Sequence, residues 1–238
     1  MDPLVKSTPA VIFTVTRNGG GYLTHCLNSH SYMLWDTANS WSRRVYGGAA
    51  VTEELLALLI TRPDRGVSGT KLVAGQALPI SMAFWTRYDG LRVIRMEREN
   101  VLRSAISAEV KRARRQGNHW PFHLDPAEYL QNIRSREILA GRLKARCDEM
   151  AAEGIAVYHT TYAAIAGEGP TSPGIPEPEG RRICEFLGVA YEPLSTDLQR
   201  NYALPLTRLI ENYDEIAAAV TAAGYGRWLE DEAVWHQN

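Results

Sequence analysis

Ala10-Val-Ile-Phe-Thr-Val-Thr16 runs into Arg17-Asn-Gly-Gly-Gly21 and then into Tyr22-Leu-Thr-His-Cys-Leu-Asn28. The first segment is a short, nearly unbroken apolar run, the pattern of a strand buried on both faces. The glycines let the backbone turn tightly with its N–H groups uncovered, and the third segment has helical spacing. Strand, glycine turn and helix N-terminus bring unpaired N–H groups and the positive helix end to one point, which is an anion site. Arg17 adds a permanent cation at its mouth. The competing reading is a glycine-rich turn with no ligand, since short glycine motifs recur by chance. A Walker-type loop would end in Gly-Lys-Ser/Thr, the Lys for terminal phosphates and the hydroxyl for magnesium. Here neither residue follows the glycines and Arg17 precedes them, an order that suits an anion held without an essential metal.

Outward from this segment the chain alternates strand and helix. The pattern predicts a strand over 10–15, a helix over about 21–28, and a second helix over 53–60 with Thr52 as N-cap, ending before Pro63. Strands follow over 67–73 and 91–96, then a helix over 100–116 stopped by Gly117. Asp125-Pro126 starts a long helix towards Glu153, with a break expected near Gly141. A strand over 155–159 and helices over 181–187 and 206–222 complete the pattern. Repeated βα units with short turns predict a single α/β domain over 1–238, its central parallel sheet flanked by helices. Residues 167–180 hold four Gly and four Pro in fourteen positions, a composition that predicts a mobile loop.

Composition narrows the function. The chain has 238 residues, 45% hydrophobic and 22% charged, enough for one substantial core. A net charge of −1 gives no global basic field for nucleic acid or an anionic membrane. The run Lys111-Arg-Ala-Arg-Arg115 reads first as a solvated helix face and second as a basic rim for an anionic acceptor. Cys26, Cys147 and Cys184 lack paired spacing, which predicts neither a disulfide framework nor a zinc site. Met1-Asp-Pro-Leu-Val-Lys6 lacks a signal peptide's apolar core, and no run approaches the roughly 20 apolar residues of a membrane helix. A soluble cytoplasmic protein is expected.

Several segments together resemble the sulfotransferases that use 3′-phosphoadenosine 5′-phosphosulfate (PAPS), bacterial members above all. Arg17-x-Gly19-x-x ahead of a helix is similar to their 5′-phosphosulfate loop. Leu91-Arg-Val-Ile-Arg-Met-Glu-Arg-Glu-Asn-Val-Leu-Arg-Ser-Ala-Ile-Ser107 is similar to their 3′-phosphate strand and helix, and Gly69-Thr-Lys-Leu72 to their Gly-x-Lys-Leu strand. Ile183-Cys-Glu-Phe-Leu-Gly-Val189 and Leu209-Ile-Glu-Asn-Tyr-Asp-Glu-Ile216 also match, in family order, over roughly 10–230. The resemblance implies a P-loop-like sulfotransferase fold and transfer of a sulfonate to a hydroxyl of a small molecule or glycoconjugate. PAPS is then the cosubstrate, the bisphosphate PAP the product, and no metal takes part. A P-loop-like nucleotide kinase and a catalytically inactive nucleotide-binding protein are the alternatives.

The resemblance also assigns residues. Arg17, Asn18, Gly19, Gly20, Gly21 and Tyr22 form the donor loop, and Arg98 and Ser107 hold the 3′-phosphate. Relatives carry hydroxyl residues at positions 20 and 21, so two side-chain donors are absent while the backbone ones stay. Lys71 lies inside a strand, where an ammonium is costly unless it meets an anion such as the donor sulfonate. Arg200, ahead of the final helix, is a further nucleotide contact. Asp36 is the candidate general base, near where bacterial relatives place a Glu, with His30 as its competitor and the more structural of the two. Apart from the resemblance, His119 and His123 flank Trp120-Pro-Phe and read either as the border of the acceptor pocket or as loop histidines without a role, and Trp35, Trp41, Trp85 and Trp120 either as its walls or as core anchors. Relatives carry acids after the tyrosine of Tyr162-Ala-Ala-Ile165, and their loss here has no catalytic reading. The acceptor is a small molecule or carbohydrate, with no nucleic acid and no membrane insertion expected.

Overall fold

The computed structural model describes residues 7–37, 51–62, 66–115, 121–166, 174–198 and 205–229. Five strands form one parallel sheet: β1 (Thr8–Thr14), β2 (Met33–Thr37), β3 (Val67–Val73), β4 (Arg92–Glu97) and β5 (Ala156–Thr161), in the order β2-β3-β1-β4-β5. β1 is central, and Ala10 to Phe13 are fully buried there, as the unbroken apolar run requires. Helices complete the crossovers between parallel strands. They are α1 (Gly20–Asn28), α2 (Glu53–Ile60), α3 (Ala74–Ala77), α4 (Met82–Trp85), α5 (Val101–Arg115), α6 (Pro126–Ala152), α7 (Tyr162–Ala166), α8 (Glu177–Leu187), α9 (Leu206–Leu209) and α10 (Tyr213–Ala222).

Strand alternation builds two cores. Ala10, Ile12, Trp35 and Ile94 share one face with Leu23 and Leu27 of α1 and Ile183 and Leu187 of α8. Val11, Phe13, Leu72 and Val93 share the other with Leu55, Leu56 and Leu59 of α2 and Leu143, Cys147 and Met150 of α6. Each fully buried Leu, Ile or Phe contributes about 1.5–3 kcal/mol relative to exposure. A third cluster packs Leu102 and Ile106 of α5 against Tyr129 and Ile133 of α6, and against Leu206, Ile210 and Ile216. That cluster anchors α5 and α6 beside the C-terminal end of β1.

Four expectations about elements change. β2 is a strand that the sequence pattern left out. α6 runs through Gly141 without a break, since one glycine's propensity cost is small against the packing of 27 residues. The helix expected over 206–222 is two: Ile210 is extended and pairs with Phe122, while the Asn212 amide bonds both Leu124 N and Leu124 O. The glycine- and proline-rich segment is helical from Glu177, with Pro178 tolerated in the first turn; residues 167–173 lie outside the described residues. No described helix is long and apolar enough to cross a membrane.

Candidate functional site

The chain leaves β1 at Thr14 and turns through Thr16–Gly19 into α1. Arg17 (φ 69°) and Gly19 (φ 91°) are both left-handed, and Gly19 is the helix N-cap. Alternating handedness turns successive N–H groups towards one concavity. A left-handed Arg costs on the order of 1–2 kcal/mol, a strain that persists only where the surroundings fix it. Leu23 N bonds Gly19 O, so the N–H groups of Gly20, Gly21 and Tyr22 precede the first intrahelical bond and face the cradle.

Side chains converge on this turn from β3, the end of β4, α5 and α7. The Arg17 guanidinium donates to Ser107 Oγ on α5, through Nε at 3.1 Å and Nη2 at 2.9 Å. Arg98, just past the end of β4, donates through Nη1 to Arg17 O at 3.5 Å and stacks on the Tyr162 ring at 4.5 Å. Tyr162 in turn lies directly over Gly19, where a Cβ would collide with its ring. Lys71 reaches from β3 along α1: a Cβ on Gly20 would meet its Cδ at 2.9 Å. Burial lowers the Lys71 pKa from 10.5, and repulsion from Lys111 and Arg17 lowers it further. A mostly buried ammonium among like charges calls for an anion. Arg17, Asn18, Gly19, Gly20, Gly21, Tyr22, Lys71, Arg98 and Ser107 thus lie around one turn.

Asp36 is not brought there. It pairs in register with Thr70, which pairs with Val11, three residues short of the end of β1 and so about 10 Å below it along the strand. Alternation places it on the sheet face opposite Lys71, where its carboxylate meets Arg62 Nη1 at 2.9 Å. His30 is structural: buried, it bonds Ala190 O through Nε2 at 2.8 Å and accepts from Tyr32 N at Nδ1. Trp35 and Trp85 are core residues, Trp35 packed over Gly69 and Trp85 edge-on to Phe13, and neither shapes an acceptor pocket. His123 is exposed. Arg200, His119, Trp41 and Trp120 lie outside the described residues. In the basic run, Arg112 is exposed and pairs with the exposed Glu128 and with the largely buried Glu109.

Two residues under the turn have no counterpart in the sequence reading. Arg136 on α6 donates to Thr16 O at 2.6 Å and to Ser104 Oγ at 2.9 Å, and Ser104 Oγ bonds Asn18 Oδ1 at 2.7 Å. The signal was present: Tyr129, Ile133, Arg136, Leu143, Cys147 and Met150 form the buried stripe of α6, and Arg136 is its one charged member. The thiols do not compete for chemistry, since burial raises Cys26 to about 12 and Cys147 to about 11. Among the described residues no three His, Cys, Asp or Glu side chains group as metal ligands would.

The strand order and the glycine turn at the end of the central strand define a P-loop-like α/β fold. A solved sulfotransferase from Alicyclobacillus acidocaldarius is similar over 96% of this chain and 95% of its own, at 18% identity and a TM-score of 0.47. A likeness at that level carries no inference about chemistry. No family model matches the chain, and no curated protein sequence matches it.

Proposed function

We propose that the protein moves a sulfonate from PAPS to a hydroxyl of a small molecule or carbohydrate and releases adenosine 3′,5′-bisphosphate, with no metal in the reaction. The observation that carries this reading is the pair of bonds from Arg17 to Ser107 Oγ, across 90 positions of sequence. They join the turn that resembles a 5′-phosphosulfate loop to the helix that resembles a 3′-phosphate site, so one small nucleotide can touch both. In the transfer, a bond forms between sulfur and the acceptor oxygen as the bond from sulfur to the phosphate oxygen breaks. The electron pair stays on the phosphate, where loop N–H groups, Arg17 and Lys71 offset the growing charge, and the acceptor hydroxyl's proton passes to water. Asp36, on the far face and paired to Arg62, is not given the base's role. Arg200 keeps its proposed nucleotide contact through the resemblance alone. A cytoplasmic location goes with this reading and with three buried, unbridged cysteines.

The test is a comparison of two nucleotides. Arg98→Ala should weaken adenosine 3′,5′-bisphosphate binding about ten- to a hundredfold, the loss of a charge-assisted bond of roughly 1.5–3 kcal/mol. The same variant should bind adenosine 5′-phosphosulfate, which lacks the 3′-phosphate, nearly as the parent does. Equal losses for both nucleotides would place Arg98 elsewhere.

A further inference from the structure

Arg136 is a buried cation that the donor chemistry leaves without a role. It is 8% exposed, and its partners are neutral oxygens: Thr16 O and Ser104 Oγ through Nη1, and Asn132 Oδ1 through Nε at 2.9 Å. Among the described residues no carboxylate touches it. The Glu109 charge acts on Arg136 from a distance, without an ion pair, and its Oε1 accepts from Asn132 Nδ2 at 3.0 Å. A guanidinium does not discharge by losing its proton, and a buried charge with neutral partners is costly to keep. Such a charge beneath a cradle is offset when an anion enters above it.

The bonds also have a direction. Ser104 Oγ accepts from Arg136, so its own hydrogen goes to the nearer oxygen, Asn18 Oδ1. That fixes the Asn18 amide with Oδ1 inward and Nδ2 outward. Asn18 is 5% exposed, yet Nδ2 makes no bond among the described residues. Nor is it sealed from solvent in the way that, among the described residues, the buried and partnerless indole nitrogens of Trp35 and Trp85 are. A 95% buried amide with one end held and the other end open is a donor awaiting an acceptor.

We infer that Arg136 and Ser104 are positioning residues for the anion: through Ser104, Arg136 turns the Asn18 amide so that Nδ2–H faces a sulfate- or phosphate-type oxygen in the cradle. The inference rests on the anion-binding reading of the glycine turn. Arg136 holds Thr16 O at the same time, which fixes the backbone just ahead of the left-handed Arg17.

Calorimetry on the full chain tests the relay, with adenosine 3′,5′-bisphosphate and inorganic sulfate as separate probes and thermal unfolding recorded for every variant. Asn18→Ala and Ser104→Ala should each weaken binding about tenfold, and the double variant no more than either alone, because Ser104 acts through Asn18. Arg136→Met should weaken both probes at least as much. If it does not fold, the Asn18/Ser104 cycle still decides. Additive losses near a hundredfold would overturn the relay, as would lowered unfolding midpoints with unchanged affinity, the signature of a structural plug. A parent that binds sulfate but not the bisphosphate would overturn the donor assignment and leave the relay to be judged on sulfate. Binding of neither would overturn both.

Discussion

Gly19, Gly20 and Gly21 differ in what a side chain would meet. At Gly19 the φ is positive and the Tyr162 ring blocks a Cβ; at Gly20 the Thr14 methyl and the Lys71 chain stand at 2.8 and 2.9 Å; at Gly21 nothing lies within 4 Å. A hydroxyl side chain is therefore excluded by packing at position 20 and admitted by space at position 21. Gly21→Ala should raise stability by about 0.5–1 kcal/mol in urea unfolding, through lost backbone entropy of the unfolded chain. Gly20→Ala should displace Lys71 and weaken bisphosphate binding. Equal effects at the two sites would mean that Lys71 does not lie along α1. Asp36 offers a sharper contrast at the same scale. With Asp36 27% and Arg62 20% exposed, their pair contributes under about 1 kcal/mol. Asp36→Asn should thus leave turnover within about threefold and lower stability slightly; a hundredfold loss of turnover would place its carboxylate at the reacting atoms after all.

Among the elements, α6 shows what local pattern reveals and what it misses. Its start was legible in Asp125-Pro126, and the Asp125 carboxylate does accept from Glu128 N at 2.7 Å. Its continuity was not, because glycine propensity is a weak signal against 27 residues of packing. Gly141 keeps that propensity cost, so Gly141→Ala should stabilise the fold by about 0.5–1 kcal/mol, read as a higher urea midpoint with unchanged slope. A destabilised variant would reveal a close neighbour at that position. The break between α9 and α10 had no local signal at all, since the Asn212 bonds to Leu124 and the Ile210 pairing with Phe122 span 88 positions. β2 was hidden for another reason: Met33-Leu-Trp-Asp-Thr37 is short, and Asp36 breaks its apolar run.

At the scale of the molecule, the sheet and its parallel sense were legible because buried parallel strands and the βα turn announce themselves in consecutive residues. The residues of the cradle's upper half, grouped around the turn, were legible too: Arg17 to Tyr22 lie in the glycine turn, Arg98 just past the end of β4, Lys71 inside β3 and Ser107 on α5. The lower half was not. Arg136 and Ser104 reach Thr16 and Asn18 only through tertiary packing of α6 on α5, and that packing alone separates a buried functional Arg from a surface one. Both halves meet in one claim, that the cradle takes a nucleotide with phosphates at its 3′ and 5′ positions and needs no metal. Calorimetry with adenosine 3′,5′-bisphosphate and with ATP, each with magnesium and with excess chelator, tests it most directly. The expected result is bisphosphate binding that chelator does not alter and far weaker binding of ATP; tight ATP binding that chelator abolishes would contradict the claim and mark the protein as a nucleotide kinase.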